Sequence, residues 1–415
     1  MNILIISTSD IHGGAAIASY RLLNALHAQG ENVKMLVRDK FSNNPHVIKI
    51  GNSHQNKWNF YRERAEIFLR NRLSKKHLFD VSIANTGVSI VDTPEFREAD
   101  VVHLHWVNQG MLSIDEIGKI VASGKKVVWT MHDMWSFTGI CHYAGDCCRY
   151  EASCGLCPYL VADSRNDLSN SVFRKKQKAY SQGNIAFVAC SEWLGNLAKK
   201  SALINGHSVF SIPNPIDTQK YQLKNRQEVR ERRDFLPPTN RKIVLFAAAK
   251  ASDKRKGMDY LIEASRLLKL QCDNLLFLIV GENSEEVAKQ VVGPAISMKY
   301  VRSDSMPFYY NAADVFVTPS LQDNLPNTIM EAMACGTPCV GFRIGGIPEM
   351  IEHEKTGYVA DYKSSEDLAK GISWTLFEAN NETLSANARE KVVEEYSQEK
   401  IAKRYKKIYD NGERK

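Results

Sequence analysis

Residues 315–338 read VFVTPSLQDNLPNTIMEAMACGTP, and this stretch decides the fold. Val315–Thr318 is typical of a buried parallel strand, Pro319–Pro326 is typical of a loop, and the residues that follow predict a helix. The N-terminus of such a helix presents backbone N–H groups that bind phosphate. Asp323 in the loop and Glu331 in the first helical turn add two carboxylates, which accept hydrogen bonds from sugar hydroxyls. The stretch therefore predicts a site for a sugar linked to phosphate.

Strands alternate with helical patterns along almost the whole chain, which indicates parallel sheets covered by helices on both faces. The chain has 415 residues, enough for two or three domains. The strands predicted for a first unit are Asn2–Ser7, Val33–Val37, Val101–Leu104, Val127–Thr130, Ile185–Ala189 and Val209–Ile212. The strands predicted for a second unit are Ile243–Ala247, Leu275–Val280, Asp314–Thr318 and Cys339–Phe342. The clearest predicted helices are Ala15–His27, Tyr260–Lys269 and Asp367–Glu378.

These elements predict two Rossmann-like, doubly wound α/β domains that face a cleft, residues 1–215 and residues 216–390. Ligands of such sheets bind at the carboxyl ends of the strands. Residues 219–240 are polar and charge-rich and end in a Pro-Pro pair, which is typical of a linker or a hinge-side helix. Residues 391–415 place spaced apolar side chains among charges, which predicts a surface helix that crosses back to the first domain.

The composition excludes several classes of protein. Hydrophobic residues make up 44% of the chain and charged residues 24%, as in globular proteins. The chain has no 18-residue apolar run, and its first residues lack the pattern of a signal peptide, so we expect a cytoplasmic protein. The net charge of +7 suits anionic small molecules or an anionic membrane surface. No dense basic block suggests a nucleic-acid partner.

A pair of cations follows the first strand of the second predicted domain. Lys250 and Lys256 are separated by five residues, and Gly257 follows directly. Two ammonium groups at this edge would clamp a diphosphate and stabilise a departing nucleotide. Arg255 is a third candidate cation. The alternative interpretation is a solvated basic loop at residues 254–256.

Each acid of the opening segment also has a simpler interpretation. Thr328 and Glu331 have the spacing of a capping box, in which the glutamate only satisfies a backbone N–H. Asp323 by itself is compatible with a turn. The combination of strand, loop, helix and a helix stop at Gly336 in one segment favours the phosphate site over these alternatives.

The segment resembles the signature of retaining glycosyltransferases of glycosyltransferase family 4, which have the GT-B fold. In that family two acids separated by seven residues grip the donor. Asp323 stands where the first acid is usually Glu, and residues 324–326, Asn-Leu-Pro, replace the usual Gly-Phe-Gly. The resemblance covers nearly the whole chain and is strongest in the second domain. The Cys-rich insertion described below resembles one found in a bacterial subgroup of the family.

The resemblance implies a role for each motif residue. Asp323 would approach the sugar hydroxyls, Glu331 would bind the ribose diol, and Lys250 stands where Arg is commoner. Backbone N–H groups around Asn327 and Thr328 would hold a phosphate. The residues implied in catalysis are His105, Lys250, Lys256, Asp323 and Glu331. The further residues implied in donor binding are Gly13, Gly14, His132, Arg255, Arg302, Asn324, Leu325, Asn327 and Thr328.

The first domain contributes weaker signals. Gly13 and Gly14 follow the first strand and open a helix, although a diglycine is often only a turn. His105 and His132 each end a predicted strand, at the edge where ligands bind. Alternation along the strand puts His103 and His105 on one face, so a packed histidine is the alternative. The resemblance implies that His105 faces the sugar and that His132 lines the cleft.

Residues 141–157 form a Gly- and Tyr-rich insertion that contains five of the nine cysteines. Four of them, including a C-x2-C pair, have a spacing compatible with structural zinc. Cys148 and His142 are substitute ligands, and disulfides or packed free thiols are alternatives to a metal. The predicted zinc ligands are Cys141, Cys147, Cys154 and Cys157.

Residues 57–76 mix aromatic and basic side chains at near-helical spacing. A helix of this kind lies on an anionic membrane surface. The alternative is a solvated helix that packs its aromatic face on the sheet. Family members that assemble surface polysaccharides on lipid carriers often bind membranes in this way.

The resulting hypothesis is a retaining glycosyltransferase of the hexosyltransferase type. It would use a nucleotide-diphosphate sugar and a glycan or lipid-linked glycan acceptor, in capsule, O-antigen or exopolysaccharide assembly. We expect no catalytic cofactor, because Lys250 and Lys256 would replace a metal at the phosphates. The alternatives are another GT-B enzyme, such as a nucleotide-sugar 2-epimerase, and a non-catalytic protein that binds nucleotide sugars.

Overall fold

The computed structural model describes residues 1–232, 236 and 239–410 and divides into two compact units. The first unit is Met1–Pro213 with the chain from Ile401 onward, and the second unit is Asn214–Lys400. Part of the predicted linker, including its Pro-Pro pair, lies outside the described residues, as do residues 411–415.

The first unit is built on a seven-stranded sheet in the order β3-β2-β1-β4-β5-β6-β7, and every neighbouring pair is parallel. Its strands are β1 (Asn2–Ser9), β2 (Asn32–Asp39), β3 (Val47–Lys49), β4 (Val101–Leu104), β5 (Lys126–Met131), β6 (Ile185–Ala189) and β7 (Ser208–Ser211). Its helices are α1 (Gly14–Ala28), α2 (Ser53–Arg70), α3 (Pro94–Glu98), α4 (Ile114–Ala122), α5 (Leu168–Tyr180) and α6 (Glu192–Ala198). Two short 3-10 helices lie at Trp135–Phe137 and Arg149–Glu151.

The second unit is built on a six-stranded parallel sheet in the order β10-β9-β8-β11-β12-β13. Its strands are β8 (Lys242–Lys250), β9 (Leu275–Glu282), β10 (Ala295–Met298), β11 (Val315–Thr318), β12 (Cys339–Phe342) and β13 (Gly357–Ala360). Its helices are α7 (Arg226–Glu231), α8 (Met258–Gln271), α9 (Ser284–Ala288), α10 (Met306–Ala312), α11 (Asn327–Ala334), α12 (Ile347–Met350), α13 (Ser365–Ser373) and α14 (Asn381–Glu395). A 3-10 turn at Lys254–Lys256 precedes α8, and a π-helical segment at Trp374–Glu378 follows α13.

Strand β1 shows why the strands read as continuous apolar runs. Leu4 and Ile6 pack into the core on one face of the sheet, whereas Ile3 and Ile5 pack into the core on the other face. Both faces of a parallel sheet are covered, so successive side chains are apolar although they point in opposite directions. The prediction of two doubly wound parallel α/β sheets is confirmed, and all ten predicted strands are present within a few residues.

Three strands were not predicted. β10 carries only half-buried side chains, and β13 begins with Gly357, so neither has the apolar run that marks a central strand. β3 contains only three residues at the edge of its sheet. Short edge strands leave little hydrophobic signal because only part of each side chain is buried.

The end of the chain forms two helices rather than the single helix predicted from residue 391. Helix α14 ends at Glu395, and α15 runs from Gln398 to Asp410. Between them the backbone pairs with Ile216, whose N–H donates to Tyr396 O and whose carbonyl accepts from Gln398 N. The buried face of α15 belongs to the core of the first unit, where it packs with α1. The expected return of the last helix to the first unit is therefore observed.

Candidate active site

Helix α11 starts at Asn327, directly after the loop that follows β11. Pro326 occupies the N-cap position, and within the described chain no side chain caps this helix. Thr328 is already the second helical residue, so the capping-box alternative is wrong. Glu331 is the fifth helical residue and lies beyond the first turn where we expected it. The helix start is left to backbone N–H groups, as a phosphate site requires.

Glu331 is held by a tyrosine that the sequence did not single out. The Tyr310 hydroxyl donates to Glu331 Oε2 at 2.8 Å. Tyr310 is fully buried, and burial raises the pKa of its hydroxyl well above the ordinary value, so it stays a donor. This bond fixes one carboxylate oxygen of Glu331. Tyr310 escaped prediction because its partner lies 21 residues further along the chain, and no local pattern links a tyrosine to it.

Lys256 and Asp323 meet in an ion pair. The ammonium of Lys256 donates to Asp323 Oδ2 at 2.6 Å, and the two side chains are 32% and 13% exposed. Ser320 Oγ lies 3.4 Å from the same carboxylate oxygen. An ammonium has three N–H donors, so the pair with Asp323 leaves two of them for other acceptors. The structure thus brings together one cation and one acid of the predicted donor site.

Two glycines allow the loops to converge at this ion pair. Gly257 has a φ of +68°, and a Cβ there would lie 1.7 Å from the carbonyl oxygen of Pro319. A Cβ on Gly345 would lie 1.8 Å from the carbonyl oxygen of Asp323. Any larger residue would force these loops apart.

Backbone hydrogen bonds connect the same loops, because Leu321 N donates to Arg255 O and Gly346 N donates to Asn324 O. The loops that follow β8, β11 and β12 are therefore joined at one edge of the sheet.

The other predicted cations of the second unit have different environments. Lys250 is the last residue of β8, and its side chain is exposed. The guanidinium of Arg255 is also exposed and is bonded to Asp253 at 2.7 Å, so part of its charge is offset locally. Arg302 is an exposed residue whose carbonyl accepts from Ser305 N and Met306 N before α10. The side chains of Asn324 and Leu325 are buried, so these two residues shape the loop from inside.

In the first unit, His105 follows β4 and His132 follows β5, and the two imidazoles are hydrogen-bonded. His105 Nδ1 and His132 Nε2 lie 2.9 Å apart. Cys190 Sγ lies 3.5 Å from His132 Nδ1 on the far side of that ring. His105 Nε2 is buried and has no hydrogen-bond partner among the described atoms. The prediction that His103 and His105 share one face is confirmed by ring centroids 4.3 Å apart.

These histidines are neutral at physiological pH. Burial, with a smaller contribution from neighbouring imidazoles, lowers the pKa of His105 well below its ordinary value. Burial lowers the pKa of His132 to about 4, although Asp133 partly opposes that shift. Burial also lowers the pKa of His103 to about 3. A neutral imidazole keeps one N–H donor and one acceptor, so His105 can exchange hydrogen bonds with a hydroxyl.

An acid next to His132 organises the neighbouring side chains. Asp133 Oδ2 accepts from Trp106 Nε1 at 2.9 Å and lies 2.7 Å from His142 Nδ1. The other ring nitrogen of His142 lies 3.1 Å from Ser82 Oγ. Both ring nitrogens of His142 are thus engaged, which argues against it as a substitute metal ligand.

The remaining predicted residues of the first unit occupy a turn and a pocket. Gly13 has a φ of +96° and caps α1, and Gly14 is the first residue of that helix. The left-handed backbone explains a glycine at position 13.

The four predicted zinc ligands line one pocket. Among the residues that the structure describes, no group of three or more His, Cys, Asp or Glu is arranged to hold a metal ion.

Comparison with known proteins decides the family. A sequence model described as Glycosyltransferase Family 4 matches residues 12–220, half of the chain. A second model, described as Glycosyl transferases group 1, matches residues 241–377. The chain belongs to glycosyltransferase family 4. The sites at β4, β5, β8 and β11 all lie within the matched segments.

The chain aligns with several named relatives. It is 26% identical over 335 residues to an uncharacterized glycosyltransferase of Methanocaldococcus jannaschii, covering 76% of this chain and 83% of that one. It is 29% identical over 162 residues to an uncharacterized glycosyltransferase of Haemophilus influenzae, covering 37% and 45%. It is 24% identical over 220 residues to the lipopolysaccharide 1,2-N-acetylglucosaminetransferase of Salmonella typhimurium, covering 49% and 57%. The chain therefore spans about half the length of the last two relatives.

Solved structures show the fold of this chain. The Anabaena protein HepE, crystallised with UDP and glucose, superimposes with a TM-score of 0.65 at 16% identity. The superposition covers 99% of this chain and 100% of that one. The predicted GT-B fold is confirmed by this likeness together with the two parallel sheets. In the described part of the chain, no helix has both the length and the apolar character needed to cross a bilayer.

Proposed function

We propose that the glycosyltransferase moves a sugar, with retention of anomeric configuration, from a nucleotide-diphosphate sugar to an acceptor hydroxyl. The observation that carries this proposal is the Lys256–Asp323 ion pair at the edge of the second sheet, where three loops converge. A cation and a carboxylate at one point match the two halves of such a donor, because the diphosphate is anionic and the sugar carries hydroxyls.

Donor binding follows from the charges at this edge. The two remaining donors of the Lys256 ammonium, with the exposed Lys250, would hold diphosphate oxygens. The N-terminus of α11 would add backbone N–H groups and the positive end of a helix dipole. Glu331, oriented by Tyr310, would accept hydrogen bonds from the two ribose hydroxyls. HepE, which shares the fold, has been crystallised with UDP and with UDP-glucose, and this supports a nucleotide-sugar donor.

The chemical step breaks the bond between the anomeric carbon and the phosphate oxygen. Negative charge develops on that oxygen, and the ammonium groups of Lys250 and Lys256 would stabilise it. The acceptor hydroxyl would attack the same face of the sugar, and its proton would pass to the departing phosphate. Neutral His105 would contribute a hydrogen bond to a sugar hydroxyl rather than a positive charge. These roles involve only side chains of the protein and the phosphate itself.

We propose that the acceptor is a glycan or lipid-linked glycan in surface-polysaccharide assembly. The Salmonella relative is named for a reaction on lipopolysaccharide, and this name supports the assignment. Helix α2 adds a structural reason to place the enzyme at a membrane. Its buried face consists mainly of polar residues, whereas Trp58, Tyr61 and Leu69 are exposed.

The exposed stripe of α2 is aromatic and basic together. Trp58 and Tyr61 are 67% and 64% exposed, and Lys57 and Arg62 stand beside them on the exposed face. The alternative in which the aromatic face packs on the sheet is therefore wrong for these two side chains. Aromatic rings between cations suit the interface of an anionic bilayer. We propose that this face contacts the membrane that carries the acceptor.

The test is a thermal-shift screen of UDP-, GDP- and ADP-sugars, followed by transfer assays with the donor that stabilises the protein. NMR of the product would give the anomeric configuration. The same configuration in donor and product supports retaining transfer, and the opposite configuration contradicts it. Conversion of the donor without acceptor would favour the epimerase alternative. Stabilisation without turnover on any glycan acceptor would favour the binding protein.

A further inference from the structure

The segment between β5 and α5 is long for a connection without regular structure. It runs from residue 132 to Asp167, and the described helices within it are the two 3-10 turns of three residues each. Loops of this length are uncommon unless something other than secondary structure holds them. The segment is nevertheless packed into the core of the first unit through Trp135, Phe137 and Tyr150.

Four cysteines of this segment face each other across one pocket. Cys141 is buried, and Cys147, Cys154 and Cys157 are partly buried, and all four line the same space. None of the four forms a disulfide. Cys148, the substitute considered from the sequence, is exposed and lies outside the pocket lining.

The backbone around the C-x2-C pair is held in an unusual conformation. Cys154, Gly155 and Leu156 have φ angles of +54°, +113° and +48°. Left-handed backbone costs about 1 kcal/mol or more for a residue with a side chain, so Cys154 and Leu156, on either side of Gly155, need compensation. This turn points two thiols, three residues apart, into the pocket.

A backbone N–H group is directed at one of these sulfurs. Gly139 N donates to Cys154 Sγ at 3.3 Å. N–H donors stabilise a sulfur that carries negative charge more than a neutral thiol.

A buried cation lies against the same cluster. The ammonium of Lys176 is fully buried, 3.4 Å from the centre of the Trp135 ring, and it donates to Thr138 O at 3.0 Å. Cys141, Cys154 and Asp133 are the titratable side chains close enough to interact with this ammonium. The Asp133 carboxylate supplies one negative charge, and thiolates at Cys141 and Cys154 would stabilise the buried ammonium further than neutral thiols do.

We propose that Cys141, Cys147, Cys154 and Cys157 bind one structural Zn²⁺ as thiolates, with Lys176 as the buried counter-cation. Four thiolates and one Zn²⁺ leave two negative charges, and the Lys176 ammonium offsets one of them. The four thiols line one pocket and are not arranged as a coordination sphere, so binding of Zn²⁺ requires their side chains to rotate toward a common point. The metal would hold the segment of residues 132–167 against the rest of the first unit. It would take no part in sugar transfer.

The experiment uses the full chain, purified under reducing conditions without chelator and analysed for metals by mass spectrometry. We expect about one zinc ion per chain, and Co²⁺ exchanged into the protein should show thiolate charge-transfer bands and tetrahedral visible bands. Zinc content should fall at least about fivefold in Cys157→Ser and stay unchanged in the exposed control Cys148→Ser. Removing zinc from the wild type with a chelator should lower Tm, which keeps the test valid if a variant fails to fold.

Three results would overturn the proposal. The first is a folded protein without zinc whose four thiols react with a thiol reagent. The second is a mass deficit that shows disulfides under these conditions. The third is iron and inorganic sulfide in place of zinc, because four thiolates also hold iron–sulfur clusters. Loss of donor binding or transfer with normal zinc content would bear on the proposed function and not on the metal site.

Discussion

The carboxyl edges of the two sheets differ in charge although they share one topology. In the first unit, His105 and His132 are hydrogen-bonded to each other and are neutral because burial lowers their pKa. In the second unit, Lys256 and Asp323 are charged, and Lys250 is exposed to solvent. Each edge follows the carboxyl ends of parallel strands, where ligands of such folds bind.

This contrast favours different chemical groups as ligands of the two edges. An anionic diphosphate needs cations and N–H donors, and only the second unit provides ammonium groups at its predicted site. A sugar or acceptor hydroxyl needs hydrogen bonds without charge, which a neutral imidazole supplies. We therefore propose that the second unit binds the phosphates, together with the hydroxyls that donate to Asp323 and Glu331, and that His105 of the first unit contacts an uncharged hydroxyl.

The largest expected effect concerns stability at low pH, which should be specific to the first unit. A histidine whose pKa is lower in the folded state stabilises the fold fully above its unfolded pKa of about 6.5 and loses that contribution as pH falls. For His103 and His132, stability is lost between about pH 6.5 and their folded-state pKa values of about 3 and about 4, respectively. Each loses up to about 1.4 kcal/mol per pH unit within that range, and His105, whose pKa is also lowered, adds a further loss in the same direction.

Urea unfolding followed by tryptophan fluorescence measures this loss, because most tryptophans lie in the first unit. Those of the first unit are Trp58, Trp106, Trp129, Trp135 and Trp193, and that of the second unit is Trp374. The control is His103→Gln, which should reduce the pH slope by about a third. A free energy of unfolding that stays constant between about pH 7.5 and pH 5.5 would show that these imidazoles are not neutral in the fold.

Removing the central cation should have the largest effect on transfer. Lys256→Ala deletes an ammonium that stabilises the departing phosphate, and we expect kcat to fall about 10²- to 10³-fold. The measurement is steady-state transfer with the donor found in the screen. Lys254→Ala is the matched control, because it removes an exposed cation from the same 3-10 turn. Equal losses of kcat in both variants would indicate that Lys256 acts only by general electrostatic attraction and not at a specific site.

Substitutions of Glu331 and Tyr310 should affect transfer less than Lys256→Ala does. Glu331→Gln weakens hydrogen bonds to a charged acceptor, worth about 1.5–3 kcal/mol, so donor KM should rise about 10- to 150-fold. Tyr310→Phe removes only the hydroxyl that orients the carboxylate, and an effect of about 5-fold is expected. Titration calorimetry with the nucleoside diphosphate should give the same order. A larger effect of Tyr310→Phe than of Glu331→Gln would contradict the assignment of Glu331 as the contacting group.

Helix α2 provides the smallest predicted effect on transfer itself. Replacing Lys57 and Arg62 by Ala should weaken binding to anionic phospholipid vesicles about 30-fold, at about 1 kcal/mol for each charge. Transfer to a water-soluble acceptor should stay unchanged, since these residues lie outside the proposed chemistry. Vesicle co-sedimentation gives the binding, and neutral phosphatidylcholine vesicles serve as the control. Equal binding of wild type and variant to anionic vesicles would contradict the proposal that the exposed face of α2 contacts the membrane.

Much of the fold could be predicted because buried parallel strands leave long apolar runs in the sequence. β4, β6 and β12 were predicted with the observed bounds, whereas β10 and β13 lack such runs. The site was predictable where residues share a motif, as Lys256 and Asp323 do with their neighbours.

Contacts between distant residues were not predictable. Tyr310 binds Glu331 across 21 residues, and Lys176 reaches the cysteine segment from another helix. Such partners are set by packing, which leaves no spacing in the sequence.

The most direct test of the central claim is nucleoside diphosphate binding to the wild type, Lys256→Ala and His105→Ala, measured by titration calorimetry. UDP, GDP and ADP are used as probes, and the one that binds the wild type is carried forward. The account predicts at least about a 10-fold rise in Kd for Lys256→Ala and less than about a 2-fold change for His105→Ala. A Kd unchanged by Lys256→Ala but raised by His105→Ala would contradict the assignment of the phosphates to the second unit.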